Sequence, residues 1–355
     1  MLKIKKLTAL ILAILSLTAF VSCANEGAKG SSSVLTQSES VSSQKKDPQN
    51  KFVTNPLTGE KTLDPAALNK RPVGIMINNI KVSLPQRGIS EADILYEVPA
   101  EGGITRILAL FPDLNKIPDV GSVRSARHYY LSLAMGHDAV FVHFGGSSYV
   151  LNKIKNEGIK TINFLSSQGS YRDQNRVGKI PIEHTAFTSG DRLKPAIEKK
   201  GISLSGKGKS AFTFGDTTSF FTEGETATNI TVPFSSYTKA TFTYDAESGK
   251  YKKGQFGAPQ IDEATGKTLE VKNVFILKTS IKLMDNNSKA NYIDVDLSEG
   301  EGYYAVDGKI IPIKWKKGGE DGQMRFYTAD NKFLSVAPGK SWICILSKDN
   351  TVSYN

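Results

Sequence analysis

A short apolar run that ends at a cysteine constrains this chain more than any other feature. Lys3, Lys5 and Lys6 open it, Leu7 to Leu17 is broken only by Thr8 and Ser16, and Phe20-Val21-Ser22-Cys23 closes it. This is the three-part layout of a secretory signal, with a small residue just before a cysteine. It resembles a lipobox, with Phe20 where leucine is usual. The apolar run falls short of the roughly 20 residues a spanning helix needs. The expectation is therefore cleavage before Cys23, lipidation of its thiol and attachment to a membrane by two acyl chains. An uncleaved anchor and a secreted protein with a chance cysteine are the alternatives. Once Cys23 is lipidated only Cys344 remains, so no intrachain disulfide can form and the fold must hold by its core. Cys344 sits in Ser341 to Leu346, an apolar strand-like run, and is expected as a buried, inert thiol.

The formal charge is +10, and removal of three lysines with residues 1–22 leaves +7. A basic body outside a membrane favours anionic lipid headgroups and anionic wall polymers as neighbours. Nucleic acid is not expected, because no basic helix, finger or stacking motif is present. Residues 23–50 are Ser, Gln, Lys and Gly with few large apolar side chains, and read as a flexible tether.

The remainder divides into a mixed α/β domain, 51–210, and a β-rich domain, 211–355, an α+β protein. In the first, Val73 to Ile77, Thr105 to Phe111 and Ala139 to Phe144 are strand candidates. Ser90-Glu91-Ala92-Asp93 suggests a capping box opening a helix, and Ser125 a cap for a helix through Met135. Tyr149 to Glu157 and Asp191 to Lys200 are further helices, each stopped by a glycine. From Ala211 onward short alternating runs alternate with turn residues. These predict hairpins at 241–251 and 303–311, further strands at 274–277, 292–297, 313–315, 325–327 and 341–346, and a small barrel or sandwich.

Most catalytic templates fail. Gly201 to Gly208 approaches a phosphate loop, but Gly208 stands where Ser or Thr should bind magnesium. Ser236-Tyr237-Thr238-Lys239 and Lys278-Thr279-Ser280 echo penicillin-binding motifs without the third. The four histidines lack zinc-helix spacing, and Asp294-Val295-Asp296 lacks a calcium-loop glycine. No metal or cofactor is expected. What stands out is a set of polar residues among predicted core elements: Glu97, Glu101, Arg106, Arg124, Ser125, Arg127, His143, Ser147, Arg172, Asp173, Arg176 and His184. Arginine forks match carboxylate or phosphate oxygens, and a nearby Glu or His can move protons. The plain alternative is internal ion pairing that fixes loops.

At these residues the sequence resembles the YerB-like lipoproteins, Gram-positive envelope proteins built from N-terminal and C-terminal domains of unknown function. The resemblance rests on Asn55 to Gly59, Arg71 to Asn79, Ser90 to Glu97, Glu101 to Arg106, Val123 to Arg127 and His143 to Ser147. In the second half Asp307 to Lys309 and Pro338 to Trp342 complete it. Ile182 to Ala186 departs from the Pro-His-Asn-like stretch expected around His184. The resemblance implies an exported, lipid-anchored, two-domain protein and carries no reaction with it. Two functions follow from the residues ahead of a third, a solute-binding protein feeding a transporter, for which two similar lobes are not legible. One is a non-catalytic binding protein for peptidoglycan, an anionic wall polymer or an envelope protein. The other is an envelope hydrolase or transferase using Glu/His acid-base chemistry with Arg124 and Arg127 holding the substrate.

Overall fold

The computed structural model describes residues 52–206, 210–218, 222, 224–284 and 291–355. The signal-like segment, Cys23, the tether and part of the phosphate-loop-like stretch lie outside the described residues. The fold is α+β, a mixed first half followed by a β-rich second half. The strands used below are β1 (Val73–Asn78), β2 (Ile94–Pro99), β3 (Thr105–Phe111), β4 (Val140–His143) and β5 (Ile162–Asn163) in the first half. In the second they are β6 (Asn229–Pro233), β7 (Lys239–Asp245), β8 (Lys250–Gln255), β9 (Asn273–Thr279), β10 (Glu299–Val306), β11 (Lys309–Lys317), β12 (Met324–Thr328) and β13 (Ser341–Ser347).

Why the first-half strands look continuously apolar is clear from their surroundings. Every residue of β1, β2 and β3 is buried. Their alternate side chains feed two different cores: Ile75, Ile77, Leu95, Ile107 and Ala109 face one, and Met76, Ile94, Tyr96, Leu108 and Leu110 the other. A strand covered on both faces has no solvent side to carry polar residues.

One mixed sheet of 11 described strands runs Glu225–Thr226, β11, β10, β9, β13, β2, β3, β1, β4, β5, with β12 beside β11. It joins the two halves: β13 lies parallel to both β2 and β9 and pairs Glu97 with Cys344. The second half therefore forms no barrel of its own. Its β6, β7 and β8 are the central strands of a separate six-stranded sheet that packs on the large one, with Phe242 edge-on to Trp342 at 6.1 Å.

Helix α1 (His128–Gly136) is buried over most of its length, whereas α2 (Ser148–Asn156) and α3 (Gly190–Lys199) bury one stripe each. The helix expected from Ser90 is only a single 3-10 turn, Ile89–Glu91. Asp262 carboxylate oxygens accept from the backbone amides of Gly88 and Ser90, and β2 begins at Ile94, so tertiary bonding replaces the capping box. No helix of the described residues is long and apolar enough to cross a membrane.

Candidate functional site

Glu97 projects from β2 into the seam between the two sheets and is fully buried. One carboxylate oxygen accepts from Asn79 and Thr105, at 2.8 and 2.9 Å, and the other from the Trp342 indole at 3.0 Å. Lys253 of β8, equally buried, places its Nζ 3.6 Å from that second oxygen. The ammonium donates to Gly254 O and to the carboxamide oxygens of Gln255 and Gln260, at 2.9, 2.7 and 2.9 Å, and stacks over Trp342. Burial pushes the Lys253 pKa down, against the pull of Glu97. Gln260 donates onward to Asn79 and Gln86. Every polar group of this pair has partners, which is what allows two charges to be sealed in a core. Glu97 thus ties the first half to the second and has no path to solvent.

A second cluster starts two residues after β2. The glycines following Glu101 adopt positive φ, 68° at Gly102 and 73° at Gly103, which lets the chain reverse into β3. Glu101 receives a bidentate pair from Arg127, with Arg106 at 3.6 Å. Burial raises the Glu101 pKa, but the Arg127 bonds and the two positive charges outweigh it and hold it below the ordinary carboxylate range. Arg106 donates to the Ser125 carbonyl, its Nε has no hydrogen-bond partner among the described residues, and burial lowers its pKa to about 10. Ser125 contributes its backbone here.

Arg124 and Arg172 hold successive carbonyls of the Ile182–His184 turn, those of Glu183 at 2.9 Å and Ile182 at 2.5 Å. Arg124 is half-buried, and among the described residues no carboxylate lies within ion-pair distance of it. Burial, and then the charges of Arg127 and Arg172, lower its pKa against Glu183. His184 receives the Asn78 carboxamide on Nδ1 at 2.8 Å, which puts the proton of the neutral ring on Nε2, toward Glu183. Burial and Arg124 push that ring's pKa down.

The other expected residues lie elsewhere. Asp173 and Arg176 join Arg87 and Glu263 in a network between the halves, with Arg87 to Asp173 at 2.7 Å and Arg176 to Glu263 at 2.9 Å. His143 is sealed between the Gly145 carbonyl and the Thr161 hydroxyl, and burial lowers its pKa to about 4. Ser147 caps α2 through the Val150 amide. The structure therefore brings together Glu101, Arg106, Arg124, Ser125, Arg127, Arg172 and His184, and distributes Glu97, His143, Ser147, Asp173 and Arg176 among structural tasks. Lys253, Arg87 and Glu263 escaped the sequence reading. Lys253 lies in Lys252-Lys253, which looks like a solvated pair; only strand alternation, with Tyr251 inward, hints that Lys253 shares a buried side.

What these features define is a class: a two-part α+β protein whose halves are knit by one sheet and a sealed Glu–Lys pair, with a cluster of buried and half-buried arginines beside the joint. The chain belongs to the DUF3048 family, proteins of unknown function, matching its N-terminal domain over residues 57–203 and its C-terminal domain over 230–343. A relative from Bacillus subtilis (strain 168), named "Putative lipoprotein YerB", is 33% identical over 296 residues, 82% of this chain and 85% of that protein. The crystal structure of the YerB protein from Bacillus subtilis superposes with a TM-score of 0.74 at 31% identity, covering 85% of this chain and 99% of that one.

Proposed function

We propose that this protein is anchored by lipid on Cys23 at the outer face of the membrane and binds an anionic component of the wall, without catalysis. The layout of residues 1–23 and the lipoprotein name of the B. subtilis relative support the anchoring. The binding reading is carried by one observation, the half-buried guanidinium of Arg124, which has no carboxylate within ion-pair distance among the described residues and feels Glu183 only as a more distant charge. Four arginines, 106, 124, 127 and 172, share the region with two carboxylates, Glu101 and Glu183. Arg127 is consumed by Glu101, while Arg124 spends one donor on a backbone carbonyl. Its remaining donors suit a carboxylate or phosphate oxygen.

The test uses the mature chain as Cys23→Ser, incubated with purified wall sacculi. Co-sedimentation should be strong for this protein and fall at least tenfold in Arg124→Gln/Arg172→Gln at an unchanged melting temperature. Retention equal to the parent would refute the arginine surface. In cells, radiolabelled palmitate should enter the wild type and be missing from Cys23→Ser.

A further inference from the structure

At the opposite edge of the large sheet, β10, β11 and β12 turn an uncovered face to solvent. Register fixes two rows across it, Glu301–Lys314–Tyr327 and Glu299–Lys316–Arg325. Two hollows of about 500 and 800 Å³ open on this face and share Glu299, Lys316 and Tyr327, so they form one trough across three strands. Tyr327 stacks on Phe333 at 5.1 Å, and Phe333 is 63% exposed, which makes an aromatic platform at the trough's rim.

We propose that this trough binds a glycan strand, an extended polymer of hydroxyl-bearing rings; the proposal rests on the reading of the protein as a binder of wall material. A sugar ring offers an apolar C–H face to an aromatic side chain and a rim of hydroxyls that both donate and accept. The trough supplies both kinds of partner: acceptors in Glu299 and Glu301, donors in Lys314, Lys316 and Arg325, and a ring in Tyr327. Four cations, Lys314, Lys316, Lys317 and Arg325, against three carboxylates, Glu299, Glu301 and Asp321, with Lys316 already paired to Glu299 at 2.9 Å, leave little net charge to attract a polyanion. This sets the trough apart from the arginine surface and favours uncharged rings.

Location adds a second argument. Glu97 aligns through Cys344, Ile276 and Tyr303 with Pro312, so Lys314 and Lys316 lie toward the same end of the sheet as Glu101. Arg124, whose amide bonds the Met76 carbonyl of β1, lies six strand spacings from β11, roughly 29 Å. One polymer carrying both sugar rings and acidic groups can span the two.

Isothermal titration of the mature Cys23→Ser chain with the hexamer of N-acetylglucosamine tests this. Saturable binding is expected, weakened at least tenfold in Tyr327→Ala and in Lys316→Ala/Arg325→Ala, and unchanged in Arg124→Gln/Arg172→Gln. No binding by the folded parent, or equal affinity in both trough variants at parental melting temperature, overturns the trough. If the trough variants bind normally while sacculus binding still depends on Arg124 and Arg172, the trough fails and the anion-binding function stands.

Discussion

His143 and His137 show how burial converts a familiar pH switch into a fixed neutral part. Both have pKa values lowered to about 4, in each case chiefly by burial; His143 is bonded through both ring nitrogens, whereas His137 bonds Tyr96 through Nε2 at 2.8 Å and its Nδ1 has no partner among the described residues. Their folded pKa lies below the unfolded value near 6.5. The unfolded chain therefore binds more protons between these limits, and stability present above pH 6.5 is lost as pH falls toward 4. At 1.36 kcal/mol per unit each ring is linked to about 3 kcal/mol. Asp93 runs the other way, since burial raises its carboxyl to about 6 and its contribution fades as pH rises through that value. Comparing wild type with His143→Gln cancels Asp93: the denaturation free energies measured at pH 7 and pH 4.5 should differ less in the variant. An equal difference would show that His143 is not protonated on unfolding. The same burial pushes the Cys344 thiol well above its ordinary range, consistent with the inert thiol expected from its apolar strand.

Among elements, the helices were legible wherever local chemistry decides them. Ser147 and the glycine after Glu157 bound α2, and its one apolar stripe follows helical spacing. Ser147, a ligand candidate by sequence, is instead the helix cap, accepting from the Val150 amide. Gly190 opens α3 for a reason no local rule shows. A β-carbon there would lie 2.0 Å from the Leu114 carbonyl oxygen, because the helix is pressed against the 3-10 turn Leu114–Lys116. Gly190→Ala should therefore lower the unfolding free energy by about 1–3 kcal/mol despite alanine's better helix propensity. Urea denaturation checks this, and a stabilised variant would mean that the contact yields easily.

For the whole molecule, the decisive feature is the path of β13. It comes from the end of the chain and sits between β2 of the first half and β9 of the second. A fragment of residues 52–206 would leave β2 as an open apolar edge and Glu97 buried without Lys253 or Trp342. Expressed alone it should be insoluble or lack a cooperative transition, and co-expression with residues 210–355 should restore a single melting transition. An independently folded 52–206 fragment would show that the joint is dispensable. The candidate site was legible in part for the same reason. Glu101, Arg106, Arg124 and Arg127 lie within a short stretch of chain, and their clustering predicted their meeting. Arg87 with Glu263, and Glu97 with Lys253, meet across the joint from distant positions, so no local pattern could pair them. The sequence by itself determined the signal-like layout of the N-terminus, the α+β character and most strand positions. These depend on composition and short-range periodicity. Only the tertiary structure decided that the β-rich half shares its sheet with the mixed half, and which buried charges brace that joint. Strand order and charge pairing are long-range choices, fixed by which apolar faces and polar groups find complete partners in one packed core.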